Sequence, residues 1–167
     1  MKAGHWLGTM LLTVGVSAGS AHGVRAQAAN FTVNALVLQQ ITVVGDRNLA
    51  FGTVFPGVAK TIPVQGGNSG RYQVTGAANA SVSLTFTLPA NLANGPNLLP
   101  INTWVGRHNA INNAATGVAF TPSGAPTNTT LSALGARWVF IAATVSPAAN
   151  QAAGVYLATA TLTVAYF

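Results

Sequence analysis

Asp46 is the only acidic residue of this 167-residue sequence, so any acid–base chemistry would have to be built around it. A Ser–His–Asp triad needs a carboxylate beside an imidazole, and glycoside hydrolysis needs two carboxylates. After residue 28 the only histidine is His108. Asp46 stands in a Gly-Asp-Arg-Asn run typical of turns, where Arg47 is expected to hold it as a surface ion pair. His108 follows Arg107 in a Gly/Asn-rich stretch expected to be a solvated loop. The sequence therefore predicts that the protein is not an enzyme.

The sequence also lacks the residues that metal, cofactor and nucleic-acid sites need. One Asp, one His and no Cys beyond residue 28 cannot fill a zinc or calcium shell from side chains. The glycine-rich run at residues 66–70 is not followed by Lys-Ser or Lys-Thr, so it predicts a flexible turn and not a phosphate loop. No two basic residues beyond residue 28 are adjacent, which gives no phosphate-tracking stripe: Arg47, Lys60, Arg71, Arg107 and Arg137. We expect no metal, no cofactor and no nucleic-acid partner.

The chain is poor in charge and rich in apolar residues. Charged residues make up 5% of it and hydrophobic residues 50%, whereas about 25% of an ordinary soluble domain is charged. Such a composition suits a protein that is largely covered by copies of itself, because sparse charge favours association. A secreted protein with a polar, uncharged surface is the alternative. The absence of cysteine means that burial and backbone pairing must hold the fold.

Residues 1–28 are predicted to be a secretory signal peptide, cleaved after Ala26 or Ala28. Lys2 supplies the positive start, residues 6–16 supply a short apolar stretch, and small residues follow. The apolar stretch is too short to span a membrane, and later apolar runs are broken by Thr, Asn, Gly or Pro. We expect export through the inner membrane and no membrane span in the mature form.

The remaining residues predict an all-β domain of immunoglobulin-like sandwich type, since short strands recur between Gly/Pro/Asn turn formers. Residues 90–130 are rich in Asn, Ala and Gly and are compatible with short strands or with a long loop. The candidate strands are Phe31–Val44, Leu49–Val54, Thr61–Val64, Arg71–Thr75, Ser81–Leu88, Thr103–Val105, Gly117–Phe120, Ala136–Val145 and Val155–Phe167.

The last of these runs is the most regular. Gly154 opens it, and apolar and polar positions then alternate with the period of a strand. One face would carry Tyr156, Ala158, Ala160, Leu162, Val164 and Tyr166. A strand built this regularly is expected to pair with a partner.

The first run is longer than a usual strand. Its alternating residues are Phe31, Val33, Ala35 and Val37, and the same register resumes at Ile41. Strands usually have about five or six residues. Two interpretations stay open: one long edge strand, or a first part that leaves the domain while the second part stays in the sheet.

Three features together resemble the pilin subunits of chaperone–usher fimbriae, especially the archaic branch related to spore-coat-U-type proteins, and nearby secreted bacterial domains. Gly154 is fourteenth from the end of the sequence and Tyr166 is penultimate. An alternating extension directly follows the signal, and a short apolar-Phe-Gly segment stands at residues 49–52. Ile41 occupies a place where many members have Cys, and Ala35 a place where classical pilins often have Gly.

The resemblance implies an incomplete immunoglobulin-like sandwich that lacks its last strand. Residues 39–167 would form this domain, with Gly154 and the face from Tyr156 to Tyr166 bordering an open apolar groove. Residues 29–38 would be a donor strand, with Phe31, Val33, Ala35 and Val37 filling the groove of the next copy. The implied partners are a periplasmic chaperone, an outer-membrane usher and other copies in a head-to-tail filament. The implied location is the periplasm in transit, then the cell surface or extracellular space.

A binding module is the competing interpretation. In that case the protein would be a secreted, self-complemented β-sandwich that contacts carbohydrate or a host surface. Trp104, Arg107 and Asn109 would be the contacts, because an aromatic side chain beside polar groups suits a sugar.

Overall fold

Residues 28–167 are described by the computed structural model, and the predicted signal peptide lies outside them apart from its last residue. The chain divides after Ala35 into two units. Residues 28–35 of the first unit are exposed and form no strand. The second unit, residues 36–167, contains ten strands and, within the described residues, no helix. In the same range no helix is long and apolar enough to cross a membrane.

Two antiparallel sheets build the second unit, and the architecture is the predicted immunoglobulin-like β-sandwich. The larger sheet has the order β1-β3-β9-β6-β5, with β2 paired to β9 and β7 to β6, and the smaller has the order β10-β4-β8. The strands are β1 (Thr42–Arg47), β2 (Lys60–Thr61), β3 (Gly70–Thr75), β4 (Ser81–Thr87), β5 (Asn91–Asn94), β6 (Asn97–Asn109), β7 (Val118–Phe120), β8 (Thr127–Thr130), β9 (Ala136–Val145) and β10 (Thr161–Tyr166).

The main core lies between the two sheets. Strand β4 alternates as predicted, with Val82, Leu84 and Phe86 buried and their neighbours outside. These side chains pack against Val74 of β3 and against Val139, Ile141, Leu131 and Leu162. Residues 139–143 of β9 are buried in an unbroken run, since β9 is an interior strand of the larger sheet.

Several predicted strands agree with the observed ones, and the ends of the sequence do not. Ala136–Val145 is found unchanged, and Arg71–Thr75 and Ser81–Leu88 differ by one residue at one end. Strands β5 and β8 lie within residues 90–130, whose sequence is compatible with short strands or with a long loop.

The first predicted strand, Phe31–Val44, is wrong for most of its length. Residues 28–41 form no strand, and β1 begins only at Thr42. An alternating pattern specifies which side chains share a face, but a strand also needs a neighbour to bond its main chain. Of the described residues, none pairs with 28–41 in a ladder.

The segment Leu49–Val54 is a loop and not the predicted strand. Gly52 has a φ of 61°, a left-handed conformation that interrupts an extended chain. The loop is held instead by single bonds: the Ala50 N–H donates to Asn68 O at 2.9 Å, and Lys60 Nζ donates to Thr53 O at 2.8 Å.

The closing run is a strand only in its second half. β10 pairs with β4 from Thr161 to Tyr166. Residues 155–160 form no ladder, and Leu157 alone exchanges two main-chain bonds, with Ala93 of β5. The chain therefore leaves the smaller sheet at Ala160 and touches the edge of the larger one.

Two leucines test the position of the core. Leu84 has no exposed surface, whereas Leu134, in the turn before β9, is 93% exposed. Leu84→Ala should lower the free energy of unfolding by about 2–5 kcal/mol, because it removes buried apolar atoms and leaves a cavity. Leu134→Ala should change it by less than about 0.5 kcal/mol. Denaturant titration of both variants decides this, and equal losses would contradict the described packing.

Candidate strand-acceptor cleft

An open cleft of about 1000 Å³ lies within the second unit, between the chain that follows β1 and the chain that precedes β10. Residues 47–54 form one wall, and residues 151–160 form the other. Between them the floor exposes side chains of the larger sheet and its connections: Tyr72, Leu92, Leu99, Ile101, Trp104 and Ile141.

The floor of the cleft is a second apolar cluster that is only partly covered. Leu99, Ile101, Ala143 and Val145 are buried in it. The residues above them are half-buried: Leu49, Phe51, Val54, Leu92, Trp104 and Tyr156. An apolar surface in this state is stabilised by further covering, since burial contributes about 25 cal/mol for each Å² removed from water.

The β1 side of the cleft is held by a cation. The Arg47 guanidinium donates to Ser69 O and to Ser69 Oγ, both at 2.7 Å, and Ser69 is fully buried. These bonds fix the place where the chain leaves β1 and turns into the loop 48–54. The cleft lining contains no acidic residue.

Strand β10 presents an unpaired main-chain edge. The Phe86 N–H of β4 donates to Ser123 O, on the β8 side of the smaller sheet. Neighbouring residues of an antiparallel strand bond to opposite sides, so Thr85 is directed towards its β10 partner, Thr163. The main-chain groups of Leu162, Val164 and Tyr166 consequently face away from β4. In the described part of the chain no strand pairs with that edge.

Two tyrosine hydroxyls join the β10 segment to the rest of the domain. The Tyr166 hydroxyl donates to Gln39 O at 2.6 Å and accepts from the Ala77 N–H at 2.7 Å. The Tyr72 hydroxyl donates to Ala160 O at 2.7 Å, from the opposite sheet. The Tyr72 bond thus ties the two sheets at Ala160, whereas Tyr166 ties β10 to the β3–β4 connection and to the chain before β1, and the cleft opens beyond Ala160.

The predicted acceptor residues occupy three situations. Leu162 is buried in the main core, and Val164 and Tyr166 pack against it. Tyr156, Ala158 and Ala160 line the cleft, with Ala158 exposed and the other two half-buried. Gly154 has a φ of 152°, a backbone conformation that residues with a side chain rarely adopt, which favours glycine at this position.

The predicted donor residues are exposed. The exposed fractions are 87% for Phe31, 80% for Val33 and 91% for Val37, and Ala35 is exposed as well. Three large apolar side chains open to water at alternate positions are costly for an isolated chain.

The residues suggested for a binding module do not form one surface. Trp104 is half-buried and packs against both core clusters. Arg107 is at odd spacing from Trp104 along β6, which places it on the other face of that strand. The Arg107 guanidinium donates to Ala115 O and Gly117 O, and the Asn109 amide donates to Asn113 O and Thr116 Oγ1. Both side chains hold the turn between β6 and β7.

Asp46 and His108 are placed differently from the sequence expectation. Asp46 lies in β1 and not in a turn, and its carboxylate pairs with Arg71 at 2.7 Å instead of with Arg47. His108 is a buried residue of β6, with its ring 5.7 Å from that of Phe120. Among residues 28–167 no three His, Cys, Asp or Glu side chains cluster as metal ligands.

Sequence reasoning missed Tyr72 and Leu92 as parts of the cleft. Tyr72 stands in a predicted strand, but nothing in its own segment indicates that its ring crosses to the other sheet. Leu92 lies in β5, within residues 90–130, where the sequence pattern did not distinguish strands from a loop. Only the tertiary arrangement brings these two side chains to the segment before β10.

Comparison with known proteins gives a distant likeness to a solved structure. No protein-family model matches the chain, and no curated protein matches it. Among solved structures, a chain from a chaperone–usher pilus aligns at 16% identity with a TM-score of 0.40, over 85% of this chain and 96% of that one. A likeness of this degree carries no argument about function.

The buried His108 should make stability depend on pH. Burial and, secondarily, the nearby Arg137 charge lower the pKa of His108, so the folded imidazole stays neutral to a lower pH than the unfolded one does. The unfolded imidazole gains its proton near pH 6.5. Stability is therefore full above that pH and declines as the pH falls below it, by up to about 1.4 kcal/mol per pH unit. Denaturant titrations between pH 5 and pH 7.5 measure the slope.

His108→Asn is the control for that slope. His108 is the only histidine beyond residue 28, so the signal-cleaved variant should show a nearly flat profile over the same range, whatever its absolute stability. The same decline in both proteins would show that His108 is not its origin.

Proposed function

We propose that this protein is a structural subunit of a surface pilus or fimbria and that it polymerises by donor-strand exchange. The observation that carries the proposal is the unpaired edge of β10 beside an open, apolar cleft. An edge strand with free N–H and C=O groups is a template for one more strand. Addition of a strand from a partner is a known mode of recognition, in which the main chain gives affinity and alternate side chains give specificity.

Residues 29–38 of a second copy have the properties of the missing strand. The segment contains no charged residue and no proline, so it can bond along its whole length. Its alternate positions Phe31, Val33, Ala35 and Val37 match an apolar cleft that a strand enters with one face. Complete burial of a Val or Phe side chain contributes about 1.5–3 kcal/mol.

Such a contact builds a fibre and not a closed dimer. The donor strand and the acceptor cleft are different surfaces of the same chain, so the interface is heterologous, and two joined copies still have one free donor and one free cleft between them. The lining of the cleft includes Arg47 and no acid, and the donor is uncharged, so no like-charge repulsion opposes the contact.

The exposed edge and cleft would have to be covered while the subunit is delivered to the cell surface. A bare edge and a bare apolar cleft would associate at random, so we propose that a periplasmic chaperone covers them and that an outer-membrane usher receives the subunit. Residues 1–28 would direct export, residues 29–38 would be the donor, and residues 39–167 would be the acceptor domain. The assembled filament would lie at the cell surface.

A pair of exposed residues tests the donor role. Val33→Asp places a charge on the face that would enter the cleft, and burial of an unpaired charge is strongly unfavourable. Leu134→Asp makes the same kind of change at another exposed position. Because both residues are exposed, both chains should fold with unchanged unfolding midpoints.

Polymerisation of the signal-cleaved proteins is then followed by electron microscopy and by the amount of denaturant-resistant oligomer. Wild type and Leu134→Asp should form filaments, and Val33→Asp should remain monomeric. Filaments of Val33→Asp that match those of the wild type would exclude residues 29–38 as the donor strand.

A further inference from the structure

Tyr72 occupies the edge on which the proposed donor strand would pair. Its hydroxyl donates to Ala160 O at 2.7 Å. Ala160 precedes β10 and is two residues from Leu162, whose main chain faces away from β4, so the Ala160 carbonyl continues the same unpaired edge. The bond from Tyr72 confirms the direction of this carbonyl, since Tyr72 belongs to the opposite sheet.

The ring of Tyr72 is held in this position by its surroundings. It packs edge-on against Phe86, with ring centroids 6.3 Å apart. Gly45 faces Tyr72 across the β1–β3 pair, and a Cβ on Gly45 would lie 3.6 Å from the ring, in ordinary contact. Burial raises the pKa of Tyr72, which keeps the hydroxyl protonated, and therefore a donor, at neutral pH.

The other two tyrosines do not obstruct the edge in this way. The Tyr156 hydroxyl donates to Ala152 O and accepts from Gln151 Nε2, within its own segment. The Tyr166 hydroxyl bonds to Gln39 O and to the Ala77 N–H, at the opposite end of β10 from the cleft. Only the Tyr72 hydroxyl binds main chain at the point where the cleft meets β10.

We infer that Tyr72 is a gate on the acceptor edge: its hydroxyl bond to Ala160 closes the edge where the cleft meets β10 and has to open before residues 29–38 of a second copy can pair along it. This inference rests on the proposed function and adds a step to it. A ligand that does not form a continuous strand cannot replace the Tyr72 bond with one of its own main-chain bonds. The gate therefore favours an extended peptide over other apolar ligands.

The test uses the signal-cleaved chain with Val33→Asp, in which the chain's own donor is disabled. The probe is a labelled synthetic peptide of residues 28–40 with the wild-type sequence, and its association and dissociation rates are measured by stopped flow. Adding Tyr72→Phe removes the hydroxyl and keeps the ring. The association rate should rise about 3- to 10-fold, because the bond no longer has to be broken, and the dissociation rate should stay the same.

Thr61→Val is the matched control, because Thr61 Oγ1 and Thr144 Oγ1 share an exposed hydrogen bond that is not part of the cleft lining. Its association rate should equal that of the parent chain. A purely structural role of Tyr72 would appear in Tyr72→Phe as faster dissociation with unchanged association, and that result overturns the gate. If the peptide binds none of these chains, the proposed function itself fails.

A second measurement needs no change at Tyr72. In the Val33→Asp chain the ¹³Cζ resonance of Tyr72 should shift when peptide is added, because its hydroxyl exchanges partners. The ¹³Cζ resonance of Tyr166 should shift less, since its hydroxyl bonds lie away from the cleft. Peptide binding that leaves the Tyr72 resonance unmoved contradicts the gate.

Discussion

The main chain of β10 is bonded to β4 on one side and to no described strand on the other. The position of the cleft depends on this unpaired edge. The two sheets contact each other where Leu84 and Leu162 of the smaller sheet pack with Ile141 of the larger one, and they separate before Ala160. Because the chain leaves β10 there and bonds to β5 at Leu157, a gap opens between the sheets. The cleft is this gap. Its apolar floor is the part of the sandwich interior that no described strand covers.

The scarce charges stabilise local structure and leave the cleft neutral apart from one arginine. Asp46 pairs with Arg71, whose guanidinium also lies 5.1 Å from the ring centroid of Trp138. Arg107 holds the turn after β6. Arg47 is bonded to Ser69 at the rim of the cleft. A domain with this surface has little electrostatic repulsion between copies, which is consistent with close packing in a filament.

The sequence predicted the interior of the fold better than its ends, for a physical reason. In β4 and β9 the hydrophobic pattern and the main-chain pairing coincide, because neighbours on both sides bury the side chains and bond the backbone. At Phe31–Val37 and Val155–Ala160 the pattern is just as regular, but no described ladder accompanies it. In these two segments the pattern predicts which side chains share a face, but it does not predict which strand the backbone pairs with.

The cleft could be predicted only in part for the same reason. The C-terminal face from Tyr156 to Tyr166 was identified from its alternation, whereas Tyr72, Leu92 and Trp104 come from elements distant in sequence. His108 was misplaced because the composition of its segment is typical of loops, while the neighbouring strands β7 and β9 extend β6 through it. In each of these cases the position of the residue depends on pairing between segments that are distant in sequence.

Amide hydrogen exchange at β10 tests most directly whether a neighbouring copy completes the edge. Wild-type filaments are compared with Val33→Asp monomers, and Thr163, whose amide pairs with β4 in either state, is the internal reference. The amides of Leu162 and Val164 should exchange rapidly in the monomer and slowly in the filament, while Thr163 is slow in both. Slow exchange of Leu162 and Val164 already in the monomer, or rapid exchange in the filament, would contradict donor-strand pairing at this edge.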